Sequence, residues 1–307
     1  MGEVRFDGRV AVVTGAGGGL GKTHAMLLAS RGARVVVNDL GGARDGTGAG
    51  GAAMADQVVA EIKAAGGEAV ANYNGVDTAE GGEAIVKTAL DAYGKVDIVI
   101  ANAGILRDRA FHNLTEEDWD KIFAVHVKGS FNVIQPAFRI MRQNNYGRVV
   151  VTTSNAGLFG NFGQANYSAA KTALLGFAST LELEGAKYNI KANVIAPVAA
   201  SRLTEDVMPA AALDRLKPEY VSPVVAYLCS EECEVSGNIF TAGAGYVGRA
   251  AIVESKGAVL GTAITIEDVR DNIGRISDMT GAEEFTNAFD EVQKRLMAAT
   301  QTGAAAQ

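Results

Sequence analysis

Tyr167 and Lys171 stand four residues apart, and Ser154 lies thirteen residues before the tyrosine. Ala169, Ala170, Ala173, Leu174 and Leu175 surround and follow the pair, which predicts Tyr167 and Lys171 in the first turns of a helix and on one face of it. A free phenol, with a pKa of about 10, is a poor base at neutral pH. A neighbouring ammonium favours the phenolate and lowers that value. Ser154, just past an apolar run, is placed to hydrogen-bond an alcohol or carbonyl oxygen. Phenol, lysine and hydroxyl together suit proton transfer at a C–OH group while another group moves the hydride. By itself Tyr-x-x-x-Lys is an ordinary amphipathic helix face. The upstream serine and a second motif near the N-terminus give it meaning.

That motif follows residues 9–14, Arg-Val-Ala-Val-Val-Thr, a β-branched run read as a buried parallel strand. Gly15-Ala-Gly-Gly-Gly-Leu20-Gly21 comes next and leads into an Ala/Leu-rich helix. Such a turn lets the backbone, here around Gly15, Gly19, Leu20 and Gly21, approach a pyrophosphate at a helix N-terminus. A second strand ends at Asp39, 24 residues after Gly15, where an acid binds the ribose hydroxyls of NAD and repels the extra phosphate of NADP. Arg44 in the following loop offers a partial offset. That loop, residues 40–51, is long and glycine-rich; it reads either as mobile surface or as a segment that folds over the adenosine end.

The remaining elements must bring these two motifs together. Strands are predicted at 33–38, 69–73, 96–101, 148–153, 190–195 and 239–242, with helices alternating between them. Asn74 and Gly75 fall at the end of the third strand, and Asn102 opens a turn after the fourth. Thr115 with Glu116, Glu117 and Asp118 is an N-cap signature for a long helix. That helix carries Trp119, Phe123, Val127 and Phe131 at helical spacing, read as core or subunit contact. The expected fold is α/β: a Rossmann doubly wound parallel sheet of about seven strands over residues 1–248. A helical C-terminal extension, 249–307, is expected to have helices at 265–279 and 283–298 and not to be an independent domain.

Composition narrows the setting. The 307 residues are 48% hydrophobic, enough for a sizeable core, and carry a formal net charge of −7 without a basic cluster, which argues against nucleic acid. No apolar run reaches the length of a membrane span, and residues 1–9 lack a signal peptide's apolar core. Cys229 and Cys233 are read as packing residues, and no metal site is expected. The expectation is a cytoplasmic protein acting on a small molecule.

Thr14-Gly15-x-x-x-Gly19-x-Gly21, Asn102-Ala-Gly, Ser154 and Tyr167-x-x-x-Lys171, in this order and spacing, resemble the short-chain dehydrogenase/reductase family over residues 8–245. A narrower likeness lies in residues 37–42, 102–109, 160–171 and 216–221. These are similar to the subgroup formed by the (3R)-hydroxyacyl-CoA dehydrogenase part of type 2 peroxisomal multifunctional enzymes, which also continues past the common core. The resemblance implies Tyr167 as general acid/base. Lys171 would lower its pKa and hold the nicotinamide ribose, and Ser154 would orient the substrate oxygen. It further implies Asn74, Gly75 and Asn102 lining the cofactor, with Ala199 and Ser201 passing near the nicotinamide amide. His126 replaces the asparagine that most members use to hold a water in the proton relay; the imidazole either continues the relay or is structural. The implied reaction is NAD-dependent interconversion of (3R)-3-hydroxyacyl-CoA and 3-oxoacyl-CoA, a step of fatty acid β-oxidation. The alternatives are oxidation of steroid or other secondary alcohols, or a catalytically silent NAD-binding module. The family habit of pairing its long and catalytic helices implies a homodimer, and the C-terminal helices would then either cover the cleft or extend the dimer contact.

Overall fold

The computed structural model describes residues 2–48, 51–199 and 215–304, of which 301–304 by backbone alone. The chain divides into two compact units, Met1–Arg249 and Ala250–Gln307.

In the first unit the described order is β1 Val10–Thr14, α1 Gly19–Ser30, β2 Arg34–Asn38, α2 Ala53–Ala64, β3 Glu68–Asn72, α3 Ala79–Tyr93 and β4 Ile98–Ala101. Then come α4 Glu116–Phe123, a π turn Ala124–Lys128, α5 Gly129–Asn144, β5 Gly147–Thr152, α6 Asn155–Phe159 and α7 Ala165–Gly185. β6 Ile190–Pro197, α8 Ser222–Cys229, β7 Ile239–Gly243 and β8 Tyr246–Ala250 follow. The sheet runs β3-β2-β1-β4-β5-β6-β7-β8, with β1 to β7 paired in parallel. This is the doubly wound order. The eighth strand is the difference from the expected seven. Only Ala244 and Gly245, at φ 52° and 79°, separate β7 from β8. Two residues cannot make a crossover, so β8 turns back along β7.

Parallel strands covered on both faces must be apolar throughout, and β1, β4 and β5 are buried at every position. Alternation still sorts the faces. Ala11, Val13, Val35, Val37, Ile98 and Ile100 pack with Leu28 of α1, Ile62 of α2 and Leu228 of α8. The opposite face carries α3, α5 and α7. Cys229 and Cys233 are buried free thiols in the first core.

The second unit holds α9 Ile266–Ile276, which starts on a Thr265–Asp268 capping box, and α10 Ala288–Ala304. α9 lies within the expected 265–279 and ends three residues short of it, whereas α10 starts five residues later than expected. A Glu254–Glu283 bridge and the Lys294–Glu283 ion pair tie the unit internally. Among the described residues no helix is long and apolar enough to cross a membrane.

Candidate active site

The two halves of the sheet diverge between β1 and β4, and a cleft opens at their carboxyl ends. Thr14 and Asn102 knit its floor. Thr14 Oγ1 accepts from the Asn102 and Ala103 N–H groups at 3.0 and 3.1 Å. Asn102 Nδ2 donates to the Thr14 and Gly15 carbonyls at 3.0 and 3.2 Å. The glycine turn is pressed against this floor. A Cβ on Gly15 would lie 2.8 Å from Ala103 Cα, and one on Gly21 2.2 Å from the Gly15 carbonyl oxygen. α1 begins on Gly18 with no side-chain cap, and Gly18, Gly19 and Leu20 line the cleft. An uncapped helix N-terminus at a pocket wall suits an anionic group such as a pyrophosphate.

Asp39 closes one end. Its Oδ2 accepts from Gly17 N–H at 2.8 Å and its Oδ1 from Gly41 N–H at 2.7 Å, which fixes the carboxylate while each oxygen keeps a lone pair for a hydroxyl. Beyond it, Asn74 is held by Asn38 and Asn72, and Asn74 and Gly75 line the wall. Asp77 and Lys121 also line this end as an ion pair at 2.8 Å, with Lys121 holding the Asp77 carboxyl below its usual range. Sequence reasoning missed this pair. The hint for Asp77 was its place two residues after Gly75; nothing local points to Lys121.

At the other end β5 delivers Thr152, Thr153 and Ser154. Ser154 Oγ accepts from the Ala156 N–H at 3.2 Å, so the residue also caps α6. Tyr167 is the third residue of α7, and Lys171 lies one turn on, 3% exposed. Lys171 Nζ donates to the Thr152 carbonyl at 2.6 Å and sits 5.6 Å from the Tyr167 ring centroid. Burial pushes the Lys171 pKa down to about 7 and that of Tyr167 up to about 12, with the Ser154 hydrogen bond working against the rise and the nearby Asp108 charge adding to it. The expected lowering of the phenol by Lys171 is therefore absent from the protein by itself: burial dominates, and the lysine spends a donor on a strand carbonyl.

His126 sits in the π turn, 2% exposed, with its ring edge-on to Tyr167 at 5.3 Å and 87°. Its Nε2 meets the Ile105 carbonyl at 2.9 Å and the Ile105 N–H at 3.2 Å, while Nδ1 is buried without a protein partner. Burial and the Lys171 charge hold the imidazole well below its ordinary pKa, so it is neutral. Asn166, fully buried just before Tyr167, donates to the Arg107 and Asp118 carbonyls at 3.1 and 3.3 Å and fixes the start of α7. It too escaped sequence reasoning.

One cleft thus gathers Gly15, Gly19, Leu20, Asp39, Asn74, Gly75, Asn102, His126, Ser154, Tyr167, Lys171 and Ala199. Gly21 packs behind the turn and does not line it. Ser201 lies outside the described residues. Anion-ready backbone, a carboxylate for ribose hydroxyls and a phenol–lysine–serine cluster fit a dinucleotide with a secondary alcohol beside it.

The sequence profile for short chain dehydrogenase matches residues 9–209. A protein of Mycobacterium tuberculosis named as a short-chain type dehydrogenase/reductase is 54% identical over 275 residues, 90% of this chain and 96% of that protein. The structure of full-length peroxisomal multifunctional enzyme type 2 from Drosophila melanogaster superposes with a TM-score of 0.82 at 42% identity; it covers 97% of this chain, which spans half the length of that one. A 7α-hydroxysteroid dehydrogenase solved with NADH and 7-oxo glycochenodeoxycholic acid has a TM-score of 0.71 at 28% identity, over 78% of this chain and 95% of that one.

Proposed function

Since the chain belongs to the short-chain dehydrogenase family, an oxidoreductase family that uses a nicotinamide cofactor, we propose that it interconverts (3R)-3-hydroxyacyl-CoA and 3-oxoacyl-CoA with NAD. The observation that carries this reading is the convergence of Ser154, Tyr167 and Lys171 in the cleft that also holds the glycine turn and Asp39. Likeness to the multifunctional enzyme over 97% of this chain supports the acyl-CoA substrate. Tyr167 takes the C3 hydroxyl proton in oxidation and returns it in reduction, while Ser154 holds the same oxygen by hydrogen bonding. When bound, the nicotinamide accepts or supplies the hydride. Lys171 anchors its ribose, the N-terminus of α1 its pyrophosphate, and Asp39 the adenosine ribose. The dissimilar reading, steroid oxidation, draws on the hydroxysteroid dehydrogenase likeness at 28% identity. Exposed Trp119 and Phe131 on the long helix, at 36% and 48%, support a homodimer, which light scattering tests by a doubled mass.

The deciding assay follows reduced cofactor with (3R)- and (3S)-hydroxyacyl-CoA presented separately, each with NAD and NADP. Turnover confined to the 3R isomer with NAD is expected. Nucleotide binding without acyl-CoA turnover moves the substrate to other secondary alcohols. Asp39→Asn is expected to lower kcat/KM for NAD and raise it for NADP, narrowing their ratio by about tenfold or more, because the repelling charge goes. An unchanged ratio removes Asp39 from cofactor choice.

His126 acts here as a neutral positioning group. His126→Ala is expected to lower kcat about tenfold and to shift the alkaline limb of the pH profile, since Tyr167 loses its edge contact and the cleft an acceptor. Normal kcat with an unmoved profile assigns the ring to packing alone.

A further inference from the structure

Residues 40–48 form a hydrogen-bonded segment, closed at its neck by Gly51 N–H to the Leu40 carbonyl at 2.9 Å. Within it Ala43 N–H reaches the Thr47 carbonyl at 3.0 Å, and Thr47 Oγ1 donates to Asp45 Oδ1 at 2.6 Å. This segment leaves the end of β2. Its tip is bonded to the segment that leaves β4: Leu106 N–H donates to the Arg44 carbonyl at 3.1 Å, and Arg107 Nε to the Asp45 carbonyl at 3.0 Å. Gly46 sits against Ile105, near enough that a Cβ would lie 3.0 Å from Ile105 Cδ1. In the sheet β1 lies between β2 and β4. A segment that leaves β2 and fastens beyond β4 therefore crosses the carboxyl end of β1, where the glycine turn begins.

Arg107 is the fastening. Its guanidinium, 13% exposed, also donates from Nη1 to Glu117 and Asp118 of α4 at 3.0 and 3.4 Å. Its carbonyl independently receives Asn166, the residue before Tyr167. The side chain thus holds the crossing segment, and the main chain holds the catalytic helix.

We infer that Arg107 is a positioning residue for cofactor retention, pinning residues 40–48 as a strap across the phosphate turn so that parting of this strap from residues 105–107 sets the rate of nucleotide release. The inference rests on the nicotinamide reading above. Lysine at 107 keeps a cation beside Glu117 and Asp118, but a single terminal amine cannot also reach the Asp45 carbonyl in the fork geometry of a guanidinium. Gly46→Ala attacks the same contact from the strap side, because Gly46 is at φ +79° and its new methyl meets Ile105.

The test measures NADH release from the full chain in a stopped-flow instrument, by fluorescence loss on displacement with excess NAD, alongside steady-state kinetics and melting temperature. For both Arg107→Lys and Gly46→Ala the expected result is an off-rate at least tenfold higher and a raised KM for NAD, with kcat unchanged or increased. Release within twofold of the parent in both variants, with NADH still binding, overturns the strap and leaves the cofactor reading intact. A parent protein that binds no NADH overturns the cofactor reading and the strap with it. If Arg107→Lys melts early, Gly46→Ala, on a surface loop, decides.

Discussion

Tyr167→Phe is expected to lower kcat/KM for the hydroxyacyl substrate about a thousandfold while leaving nucleotide affinity within twofold. The substitution removes one hydroxyl and keeps the ring, so the edge contact with His126 and the packing under Lys171 survive. Only the proton acceptor disappears. A positioned acid/base group is worth about a hundred- to ten-thousandfold, and the remaining Ser154 cannot replace it, since an aliphatic hydroxyl ionises far less readily than a phenol and serves only to hold the substrate oxygen. Fold is not at stake: the phenol is held above its usual pKa chiefly by burial, so the protein loses a buried hydroxyl rather than a charge. Parallel measurement of substrate turnover and of NADH binding by fluorescence checks both halves. Retained turnover removes the mechanism; turnover and binding lost together assign Tyr167 to the cofactor site instead.

The second large effect has two signs. Lys171→Met is expected to cost about a hundredfold or more in kcat and yet to raise the melting temperature by a few degrees. Lys171 is buried against one carbonyl, and its pKa falls from 10.5 to about 7. Between those two values the unfolded chain binds a proton that the native protein does not, so native stability rises with pH through this window. Below pH 7 the whole penalty of burying the ammonium is present. Methionine fills similar space without it, at the cost of leaving the Thr152 carbonyl without its donor. The balance is a gain of about 2 kcal/mol at pH 6, fading toward pH 10. Melting curves of parent and variant at pH 6 and 9 check this. An equal or lower melting temperature at pH 6 means that the lysine is paid no penalty for its burial. The residue is kept for chemistry at the expense of stability.

What the chain discloses of this site depends on how far apart the partners lie in sequence. The glycine turn, Asp39, Ser154, Tyr167 and Lys171 are each read from a strand or helix and its adjoining turn, where spacing alone fixes direction, and all but the packed-away Gly21 reach the cleft. Lys121 with Asp77, and Arg107 with Asp45, lie 44 and 62 residues apart and meet only because the strand order brings their segments together. Alternating order could be expected from the β/α pattern, but those particular side-chain meetings could not. The eighth strand hid for another reason, since its five residues are half exposed and carry no apolar alternation. The stripe of Trp119, Phe123, Val127 and Phe131 presupposes regular helical spacing, whereas the π turn interrupts that spacing between Phe123 and Phe131. Spacing places the lysine beside the phenol but is silent on burial, which raises the phenol's pKa.

The π turn has a consequence for how this site can change. A π turn winds one more residue into the helix than the α form needs between the same two ends. Residues 116–144 therefore behave as an α-helix with one residue inserted. Deleting Val125 would heal the winding and move His126 back one position, about 100° around the axis and away from Tyr167, with every catalytic side chain still encoded. Descent in this part of the cleft is thus open to insertion and deletion as well as to substitution. A chain one residue shorter here could keep every motif and still present a different wall to its substrate.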